Sequence, residues 1–209
     1  MIPAVVPVKA LADSKSRLFP DRPRSDVEAL SLAMMGDVIA CLRSARGVGR
    51  VVVVTPDEAI ADAAQAEGGE ALLRRDPGLN PAIEAATNEV AGDAVGVLVM
   101  LGDVAAADAG DVARLVEEAP ARGIALAPSS DGGTSALLRR PADVIGAHFG
   151  RDSAKRHREA AATAGVACVE LALPSLAIDV DLGEDARAIL QQETLGRRTR
   201  ALLESWGAL

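Results

Sequence analysis

The longest apolar run in the chain, VGVLVML over residues 95–101, constrains the fold most. It is far shorter than the roughly 18 residues of a membrane helix. Its length is that of a strand, and it shows no alternation of apolar and polar positions. Such a strand is buried on both faces, as at the centre of an α/β sheet covered by helices. The rest of the chain agrees. Strand-like runs at residues 2–8, 50–54, 71–73, 124–127, 135–139, 166–171 and 176–178 alternate with helical patterns. Ser25-x-x-Glu28 reads as a capping box ahead of a helix whose Val27, Leu30, Met34, Val38 and Leu42 share one face. Thr55-Pro56-Asp57-Glu58 reads as an N-cap, a proline at the first helical position and a capping acid, with the helix ending at Gly68-Gly69. Asp76-Pro77-Gly78 signals a turn, and Asn80-Pro81 starts a helix running to about residue 90. Further helices are expected at 111–121, 153–164, 184–192 and 194–206. No linker, repeat or low-complexity stretch interrupts the pattern. The prediction is one α/β domain over residues 1–209, a layered sandwich with a mostly parallel sheet, whose ligands bind beyond the carboxyl ends of the strands.

Composition narrows the function. The formal net charge is -8, and a nucleic-acid backbone partner would need clustered Lys and Arg instead. Tyrosine is absent and Phe19, Phe149 and Trp206 are the only rings, so no stacking platform for single strands exists. No apolar run suggests a membrane span, and no basic segment precedes the first apolar stretch as in a signal peptide. Cys41 and Cys168 stand alone, without a CxxC pair or a disulfide framework, and Cys41 is expected to be inert core. A soluble cytoplasmic protein is expected, monomeric or homodimeric, with Trp206 covering the core or a dimer contact.

Several segments could carry chemistry. Lys9, Lys15 and Arg17 follow the first strand within nine positions and could hold a polyphosphate, or form an ordinary solvated loop. No Walker A pattern is present. Asp103 follows the central strand through Leu101-Gly102, where a carboxylate can hold a hard cation or cap a turn. Asp179-Val180-Asp181 puts two carboxylates on one face if the strand continues, which a cation would relieve; alternatively one of them caps the helix near Gly183. The loop 129–134 offers hydroxyls and backbone donors. Gly150-Arg151-Asp152-Ser153 leads into a helix N-terminus, an anion site or a plain Ser153 N-cap. His157 lies one helical turn beyond, and His148 has no recognisable partner. Gly78-Leu79-Asn80 precedes a helix and could contact a base or ribose, or be an N-cap alone. No nucleophile elbow, HExxH, dinucleotide GxGxxG or kinase motif occurs.

Taken in order, PVKALADSKSRL, GLNPAIEAA, the strand ending in Gly102-Asp103, DGGTSALL, FGRDSAKRH and IDVD resemble the CofC/FbiD guanylyltransferases from Val6 to about Ala186. The resemblance implies a GT-A-like nucleotidyltransferase fold, a Rossmann-like three-layer α/β sandwich with a mostly parallel mixed sheet. It implies the joining of GTP to a small phosphorylated carboxylic acid with release of pyrophosphate, on the way to the deazaflavin coenzyme F-420. The acid is phosphoenolpyruvate or 2-phospho-L-lactate, with a 3-phosphoglycerate variant. It implies that Lys15 and Arg17 clamp the triphosphate with Lys9 close by, and that Asn80 lies near the guanosine. It implies that Asp103, Asp179 and Asp181 hold Mg2+, and that Thr134, Gly150 and Ser153 bind the acid, with His157 a further candidate. Two turns depart from the family pattern. Asp103-Val104-Ala105 replaces Asp-Leu-Pro, and Asp179-Val180-Asp181-Leu182-Gly183 replaces Asp-x-Asp-Thr-Pro.

The chemistry so implied asks little of side-chain acids and bases. A phosphate oxygen is already anionic near neutral pH, and the obstacle is bringing two polyanions together. The alternatives are a non-catalytic nucleotide-binding α/β domain and a nucleotidyltransferase for another acid. Sugar-phosphate and molybdopterin enzymes of this fold open with a Gly-rich loop, whereas this chain has no glycine before Gly36.

Overall fold

The computed structural model describes residues 1–13, 18–75 and 78–207. Among them, seven strands form one sheet in the order β3-β2-β1-β4-β6-β5-β7. In chain order these are β1 (Ile2–Pro7), β2 (Val48–Thr55), β3 (Glu70–Leu73), β4 (Val97–Met100), β5 (Gly123–Pro128), β6 (Thr134–Arg140) and β7 (Ala167–Glu170). The helices are α1 (Arg24–Ser44), α2 (Glu58–Ala66), α3 (Leu79–Ala91), α4 (Ala109–Glu117), α5 (Ser153–Thr163), α6 (Gly183–Leu190) and α7 (Arg197–Ser205). All adjacent strands pair in parallel except β6, which is antiparallel to β4 and β5. The sheet is therefore mixed and mostly parallel, as expected.

Strand β4 is the middle strand, and all four of its residues are buried. Successive side chains alternate between two cores. Ala4, Val6, Val51, Val53, Leu98, Met100, Ala136 and Leu138 join Met35, Val38 and Leu42 of α1, Ile60 of α2 and Leu115 of α4. Val5, Val52, Val54, Val97, Val99 and Leu137 face the other way, onto Ile83 and Val90 of α3 and Ala154 and Ala161 of α5. A third cluster joins Leu30 and Met34 of α1 to Ile189 of α6 and Leu203 of α7. Trp206 packs against it, edge-on to Phe19 at 5.3 Å.

Local details differ from the sequence expectation. Helix α1 starts at Arg24 after Pro23, with no side-chain cap, and Glu28 bonds Arg24 at 3.2 Å instead of closing a box with Ser25. The cap of α2 is Asp57 rather than Thr55; its Oδ1 accepts from Ala59 N–H at 2.9 Å. The expected strand at 176–178 is absent. Pro174 fixes φ and lacks an N–H, and Pro174–Leu176 winds into a 3-10 turn. The Ser175 hydroxyl there donates to Asp111 at 2.7 Å, and Leu173 and Leu176 fill the core. The Asp76-Pro77 turn lies outside the described residues.

Candidate active site

Parallel strands put their carboxyl ends on one edge, and the reversed β6 brings its first residue to that same edge. Pro128, the last residue of β5, pairs with Thr134. The described residues of five chain segments therefore meet there: those following β1, β2, β3 and β4, and the loop 129–133 before β6. Two further contacts recruit the segment before α6. Ser130 N–H donates to Ala177 O at 2.8 Å, and Val180 N–H to Asp103 O at 3.3 Å.

The result is a two-lobed cleft. One lobe, about 260 Å3, has walls that include Lys9, Gly102, Asp103, Gly150, Asp179 and Asp181. The other, about 240 Å3, is more apolar, with Val54, Pro56, Leu79 and Ala82 beside Thr55 and Arg74. Pro7, Val8, Lys9 and Leu79 border both lobes. Gly102 permits the close approach of the first and fourth loops: a Cβ there would stand 2.9 Å from Val8 Cγ2. The first loop is also tied down by a residue that sequence reasoning had assigned only to a helix start. Asp57 caps α2 with one oxygen and accepts Leu11 N–H with the other, at 2.9 Å.

The three expected metal-binding carboxylates thus line one lobe. They do so without a strand at 179–181, where the backbone is irregular. Nor does either acid cap α6: Asp185 accepts from Asp181 N–H at 3.0 Å and Leu182 N–H at 2.7 Å. Burial pushes the Asp179 carboxyl up to about 7, with the charges of Asp103, Asp131 and Asp181 adding to it. Asp131 moves the opposite way, held below the usual carboxylate range chiefly by the Ser129 hydroxyl and also by Gly133 N–H. Among the described residues, no group of three or more His, Cys, Asp or Glu side chains stands ready to hold a metal ion. Mg2+ takes one or two carboxylates and completes its shell with water and substrate phosphates, so any two of Asp103, Asp179 and Asp181 could serve as its protein ligands.

The altered turns are built in. Val104, Ala105 and Ala106 are buried, Ala107 N–H closes onto Val104 O at 3.1 Å, and Ala105 O accepts from Gly196 N–H at 3.0 Å.

The remaining expected residues divide. Gly150 is on the cleft wall, at φ +113, a conformation that favours glycine. Thr134 and Ser153 are buried behind it. Ser153 is not the N-cap of α5; that position is Asp152, in the left-handed region at φ 54. The Ser153 hydroxyl turns inward and donates to Thr134 Oγ1 at 3.0 Å. Asn80 does not border either lobe in the described structure. Its amide exchanges two hydrogen bonds with the backbone of Phe149, at 2.8 and 3.1 Å. Lys15 and Arg17 lie outside the described residues. Cys41 fits its expected inert role, its thiol pushed up to about 12 by burial and then by Asp108 and Asp111.

His157 has more partners than its sequence position suggested, and His148 is one of them. Its Nε2 accepts from His148 N–H at 3.0 Å, so the ring proton sits on Nδ1, which faces Thr134 Oγ1 at 3.1 Å. Burial holds the imidazole neutral, down to about 3, with His148, Arg139 and Arg156 adding to the effect. The unfolded chain takes up this proton below about pH 6.5 while the folded chain refuses it until about pH 3. Stability from His157 is thus complete above the unfolded value and declines as pH falls through that window, by at most about 1.4 kcal/mol per pH unit. Urea unfolding between about pH 7 and 4 checks this: His157→Gln is expected to flatten the profile by close to one proton.

Comparison with known proteins agrees with this architecture. The family model for CofC-like guanylyl transferases matches residues 2–207. A phosphoenolpyruvate guanylyltransferase of Sphaerobacter thermophilus is 35% identical over 195 residues, covering 92% of this chain and 94% of that protein. A 3-phospho-D-glycerate guanylyltransferase of Colwellia psychrerythraea is 31% identical, covering 87% of each. Among solved structures, a Desulfovibrio desulfuricans protein named for the nucleotide-diphospho-sugar transferases superposes with a TM-score of 0.80 at 18% identity, covering 98% of this chain and 95% of that one. A CMP:2-keto-3-deoxy-manno-octonic acid synthetase complexed with CTP gives 0.59 at 16% identity, covering 92% of this chain and 100% of that one. These two share the fold.

Proposed function

Since the chain belongs to the CofC-like guanylyl transferase family, we propose that it joins GTP to phosphoenolpyruvate and releases pyrophosphate, as a step toward coenzyme F-420. The observation that carries this reading is the pairing of a more apolar lobe with a lobe lined by Asp103, Asp179 and Asp181, the two sharing Pro7, Val8, Lys9 and Leu79 in their walls. A nucleotide has that same division, an apolar base joined to a polyanion. The choice of phosphoenolpyruvate follows the name of the 35% identical relative.

In this reading an oxygen of the acid's phosphate attacks the α-phosphorus of GTP. The new P–O bond forms as the bond to the β-phosphate oxygen breaks, and pyrophosphate departs with that electron pair. No strong base is needed, because the attacking oxygen is already anionic. Lys9, together with Lys15 and Arg17, would neutralise the triphosphate and keep the two anions in one cleft. Asp103, Asp179 and Asp181 would hold Mg2+, which when bound neutralises phosphate charge and orients the leaving group. Gly150, with Thr134 and Ser153 behind it, would receive the acid.

The test is incubation of the purified protein with GTP and Mg2+ and, separately, phosphoenolpyruvate, 2-phospho-L-lactate and 3-phosphoglycerate. Pyrophosphate release and product mass are read. Product with phosphoenolpyruvate is expected. Product with another acid alone would reassign the substrate. GTP binding without product under any acid would replace the enzyme by a nucleotide-binding domain.

A further inference from the structure

The segment 145–149, between β6 and α5, has no regular structure, and its backbone hangs on side chains from three different elements. Arg139 of β6 donates to Ile145 O at 2.9 Å. Glu84 of α3 accepts Ala147 N–H, and His157 of α5 accepts His148 N–H. Asn80 of α3 then takes both polar groups of Phe149: Oδ1 accepts its N–H at 2.8 Å and Nδ2 donates to its C=O at 3.1 Å. Arg156 approaches the same carbonyl at 3.4 Å. Two bonds from one planar amide to one residue fix both the position and the tilt of that residue. The Phe149 ring is buried edge-on to His157 at 5.1 Å. The next residue is Gly150, on the wall of the carboxylate-lined lobe.

We propose that Asn80 is a positioning residue for the phosphorylated acid rather than a contact of the guanosine. It holds the Phe149 peptide so that Gly150 and the start of α5 present a preformed surface to the acid. This rests on the reading given under Proposed function, in which Gly150 belongs to the acid's end of the cleft. The guanosine contact that the family resemblance implied would compete with two hydrogen bonds the amide already makes. Leu79, one residue earlier, borders both lobes and remains available to the nucleotide.

The test is the KM of each substrate in the full-length enzyme carrying Asn80→Ala or Asn80→Asp, with thermal unfolding alongside. Asn80→Asp keeps the acceptor for Phe149 N–H and loses the donor to its carbonyl. Expected are a rise of about tenfold or more in the KM of the acid for Asn80→Ala and a smaller rise for Asn80→Asp. The KM for GTP should stay within about twofold. A raised KM for GTP with that of the acid unchanged would overturn the proposal and return Asn80 to the guanosine. So would equal rises in both, or failure of both variants to fold, either of which describes a purely structural residue. Wild-type enzyme inactive with every acid would sink the functional reading itself, and the proposal with it. An active wild type whose variants shift only GTP would sink the proposal alone.

Discussion

Replacing Asp103 by Asn is expected to lower turnover by at least about a thousandfold while leaving the fold intact. The side chain is close to isosteric, and the backbone around it is held independently of the carboxylate. Leu101 N–H bonds Ser135 O at 3.0 Å, and Asp103 O accepts from Val180 N–H. What changes is charge, at the point where the loops from β4 and from 179–181 meet. The same substitution removes the charge that helps push the Asp179 carboxyl up. Steady-state pyrophosphate release with saturating Mg2+, set beside circular dichroism of the variant, makes the measurement. A folded Asp103→Asn enzyme with full activity would remove this residue from the metal site and the proposed site with it.

The second large effect is on stability, and it sits under the strap at 145–149. Arg139 is fully buried next to the carboxyl end of β6. Its guanidinium reaches Glu84 at 2.8 Å, Ile145 O at 2.9 Å and Thr87 Oγ1 at 2.9 Å. Glu84 is the anionic partner, with its side chain 37% exposed against 0% for Arg139. Glu84→Ala would leave a buried cation without its counter-charge and Ala147 N–H without its acceptor. The expected cost is about 3 kcal/mol, toward the lower end for a broken buried pair because water can reach the vacated position. For a chain of this size that lowers Tm by about 6–12 °C. Glu84→Gln keeps an acceptor for both donors and should cost clearly less. Calorimetry of the two variants settles it, and equal, small losses would show that the pair contributes little.

Much of the fold was legible because burial of a parallel sheet imposes unbroken apolar runs. Residues 97–100 and the Val-rich stretch of β2 could only be inner strands. The reversal of β6 was not legible, since an apolar segment carries no mark of its direction; that is set by which loop the chain takes. Pro174 explains the missing strand at 176–178, and it was in plain view. A single proline outweighed the apolar pattern of its neighbours. The carboxylates of the site illustrate a different limit. Residue spacing alone made Asp103 and the pair at 179 and 181 one site only on the condition that the fold brought their strand ends together. The resemblance grouped them, and the bond from Val180 N–H to Asp103 O is the physical link. For Asn80 the deciding partner is 69 positions away in sequence, a distance at which spacing says nothing. Asn80-Pro81 does lie at the start of a helix as read, but the side chain that looked free for a ligand is spent on the backbone of Phe149.

The contact between Phe19 and Trp206 has a practical corollary. The chain contains one tryptophan and no tyrosine, so its near-ultraviolet emission comes from a single indole. That indole lies 4.4 Å from the Arg22 guanidinium and against the Phe19 ring, the residues through which the first loop rejoins the body of the protein. The molecule thus carries its own optical probe where Phe19 and Arg22 meet the C-terminal helix, so a change in the packing of those two residues can be read without a label.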